Sequence, residues 1–428
     1  MSIKPKGILV KHKINIIFFL LAIFISLLFF DRYFRVELGG DAKGYWIHAE
    51  KIAENPSYLI HSPDFGQLEP MHNIIIGFIR MLPGNDRITL GIIQILLFAF
   101  ILLLLYNFSL EFGSKIFAFL VVFWTLTSYR YYSYAWNPNR DIWVFYFVTL
   151  LFYFAFKYYK DNHFKNLVFF ALTSGVVLLT DMRYFAHIGL LSLLFMIVPS
   201  IRMFEKIKRT VLILIIIFIV LFPWVYRQYK VFGEWMFISK FRCEVFTKFL
   251  NKDEYKNTAH YYGEQYSLER SMVINQKRIG EGSLDKEVYE RLMKKDRYYS
   301  KHKLIGMLAK AYEFWRPCNF DYFLMPLVYK KSIRGPWSLQ HNLDGILHIG
   351  ILFPFFVIGV VYSFKRKNWF LTTLFIMLAG HTLMHALTYV QERYRLIILP
   401  YYFIISFFGV FNLFHYLRNR RGAKTKNE

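Results

Sequence analysis

The pattern along the 428-residue chain is one of long apolar runs separated by short charged breaks. Ten runs predict helices near 14–30, 88–109, 115–129, 141–157, 165–180, 184–199, 210–225, 344–363, 368–388 and 396–416. A helix rises 1.5 Å per residue, so about 20 apolar residues cross a bilayer core. Runs such as 14–30 and 96–106 have no place in a soluble fold of this length, which makes the bilayer the solvent. Two stretches between the first and second runs behave differently. Residues 41–54 and 70–82 are amphipathic and too short to span; the second carries Ile74, Ile75, Ile76, Phe78, Ile79 and Met81. Such helices lie along the membrane interface. A further helical pattern covers 284–315, with mixed charge on one face and Leu292, Met293, Leu304, Leu308 and Tyr312 on the other.

The expected fold is therefore an all-α polytopic membrane protein with about ten transmembrane helices. Residues 1–225 form an N-terminal membrane module of seven spans that carries a first external loop, 31–87. Residues 226–343 form an external helical segment, and 344–428 a C-terminal module of three spans with a basic tail.

Composition sharpens this picture. Hydrophobic residues make up 56% of the chain, aromatic residues 20%, and the net charge is +24. With both termini inside, the cytoplasmic ends collect Lys4, Lys6, Lys11 and Lys13, then Lys157, Lys160 and Lys165, then Arg202, Lys206, Lys208 and Arg209. Lys365, Arg366 and Lys367 follow, and the tail adds Arg418, Arg420, Arg421, Lys424 and Lys426. The opposite orientation would put these clusters outside, against the positive-inside rule. The charge then speaks for anionic membrane lipids as partners and not for nucleic acid. No phosphate-binding loop, dinucleotide fingerprint or zinc-spaced cysteine set is present. The basic N-terminus and its apolar core lack a small-residue cleavage site, which predicts an uncleaved first helix. Cys243 and Cys318 both fall in the external segment, where a bridge and two free thiols are alternative states.

The candidate chemistry gathers at the outer ends. Asp41, in Leu38-Gly39-Gly40-Asp41-Ala42-Lys43-Gly44-Tyr45, leads a stretch that puts Tyr45 and His48 on its face at i+4 and i+7. As an Asp before a helix it can cap, and a carboxylate just outside a membrane helix can also be a general base; the two roles are compatible. Glu69 precedes the second amphipathic stretch, and Arg140 and Asp141 open the fourth span. Arg227, and Arg393-Tyr394-Arg395 before the last span, supply guanidinium groups suited to a phosphate. Thr180-Asp181-Met182-Arg183 separates two short apolar runs and reads as an external turn or as charges in a polar cavity.

Taken together in this order, these marks resemble the GT-C superfamily of integral-membrane glycosyltransferases, in particular bacterial relatives of dolichyl-phosphate-mannose–protein mannosyltransferase and of the lipid A aminoarabinose transferase. Asp41 with Tyr45 and Ala49 is similar to the acidic first-loop motif, and Glu69-Pro70-Met71 to the proline-containing segment after it. Pro223-Trp224 with Arg227 and Gly233, Glu313-Phe314-Trp315-Arg316-Pro317, and Arg393-Tyr394-Arg395-Leu396 with Pro400 resemble later segments. Two departures stand out. Ala42 follows Asp41 where protein mannosyltransferases carry a second acid, and Glu69-Pro70 replaces a Pro-Pro pair. The resemblance implies inverting transfer of a sugar from a polyprenyl-phosphate donor to a glycan, lipid or protein hydroxyl on the periplasmic face of a bacterial inner membrane. It implies Asp41 as base and Arg393, Arg395, Arg227, Tyr394 and Tyr45 as groups that hold the phosphate and substrate, with Glu69 and Asp141 as supporting acids. Some relatives use a divalent ion near these acids; His48, His72, Glu69 and Asp141 are the donors available here. A lipid-linked polysaccharide polymerase or ligase, and a transporter or flippase, are the competing readings.

Overall fold

The structure is a computed structural model that describes residues 6–30, 38, 40–67, 69–84, 86–196, 202–236, 303–317, 343–387 and 392–424. Cys243, Cys318 and most of the segment expected to be external, including 284–302, lie outside the described residues. Among the described residues every regular element is helical. Helix α1 (Lys6–Leu28) leads into a loop built from α2 (Gly40–Glu54), α3 (Tyr58–His61), a 3-10 turn (Asp64–Gln67) and α4 (Pro70–Arg80). Then come α5 (Asp86–Ser109), α6 (Lys115–Thr127), α7 (Tyr129–Ala135), α8 (Asp141–Asp161), α9 (Phe164–Thr180), a 3-10 turn (Met182–Tyr184), α10 (Phe185–Met196) and α11 (Met203–Phe232). The C-terminal part holds α12 (Lys303–Trp315), a π-helical turn (Ile346–Gly350), α13 (Phe353–Lys365), α14 (Trp369–Leu387), α15 (Glu392–Leu396) and α16 (Leu399–Lys424).

Where they are described, the ten apolar runs carry helix. Among the described residues five helical stretches, Asp86–Ser109, Asp141–Asp161, Met203–Phe232, Leu343–Lys365 and Trp369–Ala386, are long and apolar enough to cross a membrane. Shorter apolar helices fill the runs at Ile16–Leu28, Lys115–Thr127, Phe164–Thr180 and Met182–Met196.

Helix α11 is longer than its apolar run predicts. Its polar first turns are held by Arg209, which pairs with Glu205 at 2.9 Å and donates to Asn162 Oδ1 at 2.6 Å. Its far end stops at Gly233, whose φ of 75° supplies the left-handed turn that closes a helix. The run at 344–363 is broken as well, because Pro354 has no N–H to donate. The backbone widens into the π-helical turn there, and its carbonyls find side-chain donors: Tyr402 reaches Ile349 O at 2.8 Å and Trp124 reaches Leu347 O at 3.3 Å.

Two close approaches fix the frame. A Cβ on Gly77 of α4 would lie 2.5 Å from Ile52 Cγ2 of α2, so only glycine lets these two loop helices pack. A Cβ on Gly359 of α13 or Gly409 of α16 would lie 2.0 Å from a backbone oxygen, a small-residue crossing of the kind that lets helices touch along their backbones. Arg80 then ties the loop down. It donates to Glu50 at 2.9 Å, pairs with Asp86 at 3.3 Å and lies 4.2 Å over the Trp46 ring.

Candidate active site

Asp41 is the second residue of α2, where its charge complements the positive end of the helix. Its side chain is nevertheless 53% exposed and accepts a hydrogen bond from Nη2 of Arg393 in α15, 352 positions along the chain. The same Nη2 lies 3.4 Å from the Tyr394 hydroxyl. The Arg393 Nε–H is buried and has no acceptor among the described residues. Asp141, buried at the start of α8, adds its field from below. Burial works to lower the Arg393 pKa, but the carboxylates of Asp141 and Asp41 overcome it and hold the group well above the ordinary guanidinium value.

A second row of ions lies deeper. Glu69, the N-cap residue of α4, accepts from Arg140 at 2.9 Å. Arg140 also approaches Asp181 at 3.6 Å. Asp181 is fully buried at the end of α9 and takes Arg183 Nε at 2.8 and 3.0 Å on its two oxygens. The Arg183 guanidinium lies 3.7 Å over the Tyr394 ring, which returns the chain of contacts to Arg393. Four short segments (69, 140–141, 181–183 and 393–394) thus meet at one end of the bundle. Ions this deep persist only when each has a partner, because an uncompensated buried charge costs several kcal/mol.

Tyr45 and His72 line the same wall, with their rings edge-on at 4.7 Å. Burial pushes the Tyr45 phenol up to about 12, aided by Asp41, Asp141 and Glu69 and opposed by Arg140. His72 donates from Nε2 to the Pro138 carbonyl at 3.1 Å, and burial holds its pKa down to about 3, so it is neutral.

Of the residues singled out from the sequence, Asp41, Tyr45, Glu69, Asp141, Arg393 and Tyr394 come together here. Arg395 and Arg227 do not point their guanidinium groups at Asp41. Arg395 donates to the carbonyls of Phe314 at 2.8 Å and Arg316 at 3.1 Å, closing the end of α12. Arg227 donates to Leu59 O at 3.0 Å, and to Ser62 O, bracing the loop around α3. Three of the four donors available for a divalent ion face different partners: His48 meets the Tyr58 hydroxyl, His72 meets Pro138 and Glu69 meets Arg140. Among the described residues no group of three His, Cys, Asp or Glu side chains could hold a metal. Arg140, Asp181 and Arg183 are members of the cluster that sequence reasoning left outside the site. Arg140 was visible only beside Asp141 at the opening of the fourth span, and Asp181 and Arg183 only as a charged tetrad between two apolar runs too short to cross a bilayer.

The fold of this bundle, with its ionic site at the end of many apolar helices, has counterparts among solved structures. It matches crystal structures of the Archaeoglobus fulgidus oligosaccharyltransferase, one in complex with Zn and sulfate and one in the apo form. For the first the TM-score is 0.54 at 15% identity over 95% of this chain. For the second it is 0.52 at 16% identity over 97% of this chain. The chain spans about half the length of those proteins, 50% and 52%. A family model described as dolichyl-phosphate-mannose-protein mannosyltransferase matches residues 62–226. That stretch includes Glu69, Arg140, Asp141, Asp181 and Arg183 and leaves Asp41, Arg227 and Arg393 outside it. No curated protein sequence matches the chain.

Proposed function

We propose that the protein is an inverting glycosyltransferase that moves a sugar from a polyprenyl-phosphate carrier to a hydroxyl of a cell-envelope glycan, lipid or protein. In this reading about ten helices cross the inner membrane of a bacterium, both termini are cytoplasmic, and the Asp41 cluster faces the periplasm. The observation that carries it is the pairing of an exposed carboxylate, Asp41, with an arginine, Arg393, that has a buried N–H left over for a ligand oxygen.

A donor phosphate entering beside Arg393 competes with Asp41 for the guanidinium, and the carboxylate is released for the acceptor. A sugar hydroxyl is far too weak an acid to ionise first, so its proton passes to Asp41 as its oxygen attacks the anomeric carbon. The bond from that carbon to the phosphate oxygen breaks, and the electron pair leaves on the phosphate. Arg393 stabilises the new charge in the transition state, where the effect accelerates the reaction. An apolar cavity of about 420 Å³ between α12, α13, α14 and α16, lined by Leu308, Trp315, Phe356, Leu383 and Tyr402, suits the isoprenoid tail.

The test is sugar transfer by purified protein in lipid, offered a panel of polyprenyl-phosphate sugars and envelope acceptors, beside a folded Asp41→Asn variant. Transfer that collapses in the variant supports the base assignment. Undiminished transfer by Asp41→Asn moves the chemistry to another acid.

A further inference from the structure

Tyr394 is held in an unusual way. Its ring carries the Arg183 guanidinium at 3.7 Å and the His385 imidazole at 4.7 Å with an interplanar angle of 20°. Two flat groups this close cannot share one face of a six-membered ring, so they take opposite faces. The stack continues past His385 to Phe314, at 5.4 Å and 11°. Four flat groups from four segments are therefore in successive contact: the turn after α9, α15, α14 and α12. Both ends are anchored. Arg183 is clamped by the fully buried Asp181, and the Phe314 carbonyl accepts from Arg395.

The stack contains no acid or base of the proposed reaction. Its effect falls on the neighbour in sequence, Arg393, whose Nη2 rests between the Tyr394 hydroxyl and Asp41. α15 is a single short turn, and its own backbone bonds cannot hold a long side chain on target. We infer that Arg183 and His385 are positioning residues that grip Tyr394 on its two faces and thereby aim Arg393 at the phosphate-side of Asp41. The inference rests on the transfer reading given above. A guanidinium suits one face because it stacks flat while its N–H groups bind Asp181 in the ring plane. An imidazole suits the other because it stacks within a helix crowded by aromatic side chains.

The experiment measures steady-state transfer with the wild type, His385→Ala, His385→Phe and Arg183→Lys, each in lipid and each with its melting temperature. A misplacement of about 1 Å can cost on the order of a hundredfold in rate. His385→Ala is expected to lower kcat by about tenfold to a hundredfold with the acceptor KM unchanged. His385→Phe, which keeps a flat ring, is expected to recover most of that loss. Arg183→Lys keeps the charge and loses the flat face, and is expected to fall with His385→Ala; it carries the comparison if the alanine variant does not fold. Wild-type kcat in both His385→Ala and Arg183→Lys overturns the inference, as does a phenylalanine variant no better than the alanine one. A wild type that transfers no sugar from any donor fails before the variants are compared, and it overturns the functional reading and this inference with it.

Discussion

Among the described residues two buried arginine–carboxylate networks are built to opposite ends. In one, Arg130 of α7 meets Asp344 at 3.0 Å, Ser128 donates to the same carboxylate at 3.3 Å, and His348 Nδ1 contacts it at 3.3 Å. His348 is itself fixed by Thr127 at 3.1 Å, and the Arg130 and Asp344 side chains are each 7% exposed. In the other, Asp181, Glu69 and Arg140 are as deeply sealed, but the outer pair is not: Asp41 is 53% exposed and Arg393 keeps an unused N–H. A sealed network spends its electrostatics on joining segments, here α7 to the approach to α13. The other is sealed below and open above, which gives a rigid floor under groups that can still exchange partners. That is the arrangement preorganised catalysis needs.

The contrast breaks most visibly at Asp41. Asn keeps the shape, retains a hydrogen-bond acceptor for Arg393 and removes the proposed base. Transfer should fall by about 10²- to 10⁴-fold, the usual contribution of a positioned general base, with the melting temperature held within a degree or two of wild type. Arg130→Ala should do the reverse. It strands the Asp344 carboxylate at 7% exposure and should cost about 3–5 kcal/mol of stability, read by thermal unfolding in detergent. The double variant Arg130→Met, Asp344→Leu should regain most of it, since an apolar pair of similar volume often replaces a buried ion pair without loss. A double variant as unstable as the single one would mean that the network does more than join two segments.

The two arginines of the segment before α16 sharpen the same comparison over one turn of chain. Arg395→Lys loses one of two bonds to the carbonyls that end α12 and should cost about 1.5–3 kcal/mol, with kcat per folded molecule unchanged. Arg393→Lys should leave the melting temperature alone and reduce transfer about tenfold or more, because an ammonium cannot hold Asp41 and a phosphate oxygen on separate edges of one fork. If both variants lost activity equally, the division of labour between them would be wrong.

The helices were legible because apolar runs of this length leave few alternatives, and the ten runs at 14–30 through 396–416 all carry helix. Glycine was less so: Gly77, Gly359 and Gly409 look like helix weaknesses in the sequence and prove to be contact points, a fact held in residues far away. In the site, Asp41, Glu69 and Asp141 were readable from their places at helix starts. Arg393 and Arg395 were not separable, since a two-residue offset on one short turn sends one guanidinium to Asp41 and the other to α12. Asp181 and Arg183 were readable only as an ambiguity. The structure shows that a turn and a buried polar site are the same object there, with a 3-10 turn over a carboxylate of 0% exposure.

The smallest expected effect tests how well the floor of the open cluster is sealed. His72 sits at 1% exposure with its ring against Tyr45 and its Nε2–H on Pro138. Burial lowers its folded pKa to about 3, while the unfolded chain titrates near 6.5. Above pH 6.5 neither state carries the proton, and the group adds no pH dependence. Below 6.5 the unfolded state binds a proton that the native state refuses, so stability falls with pH across the window from about 6.5 to about 3. The slope is at most about 1.4 kcal/mol per unit. His72→Gln keeps an N–H for Pro138 and removes the titration. Its melting temperature should match the wild type near pH 7.5 and exceed it increasingly toward pH 4.5. Parallel acid limbs for the two proteins would mean that water reaches His72, and that the cluster is open below as well as above.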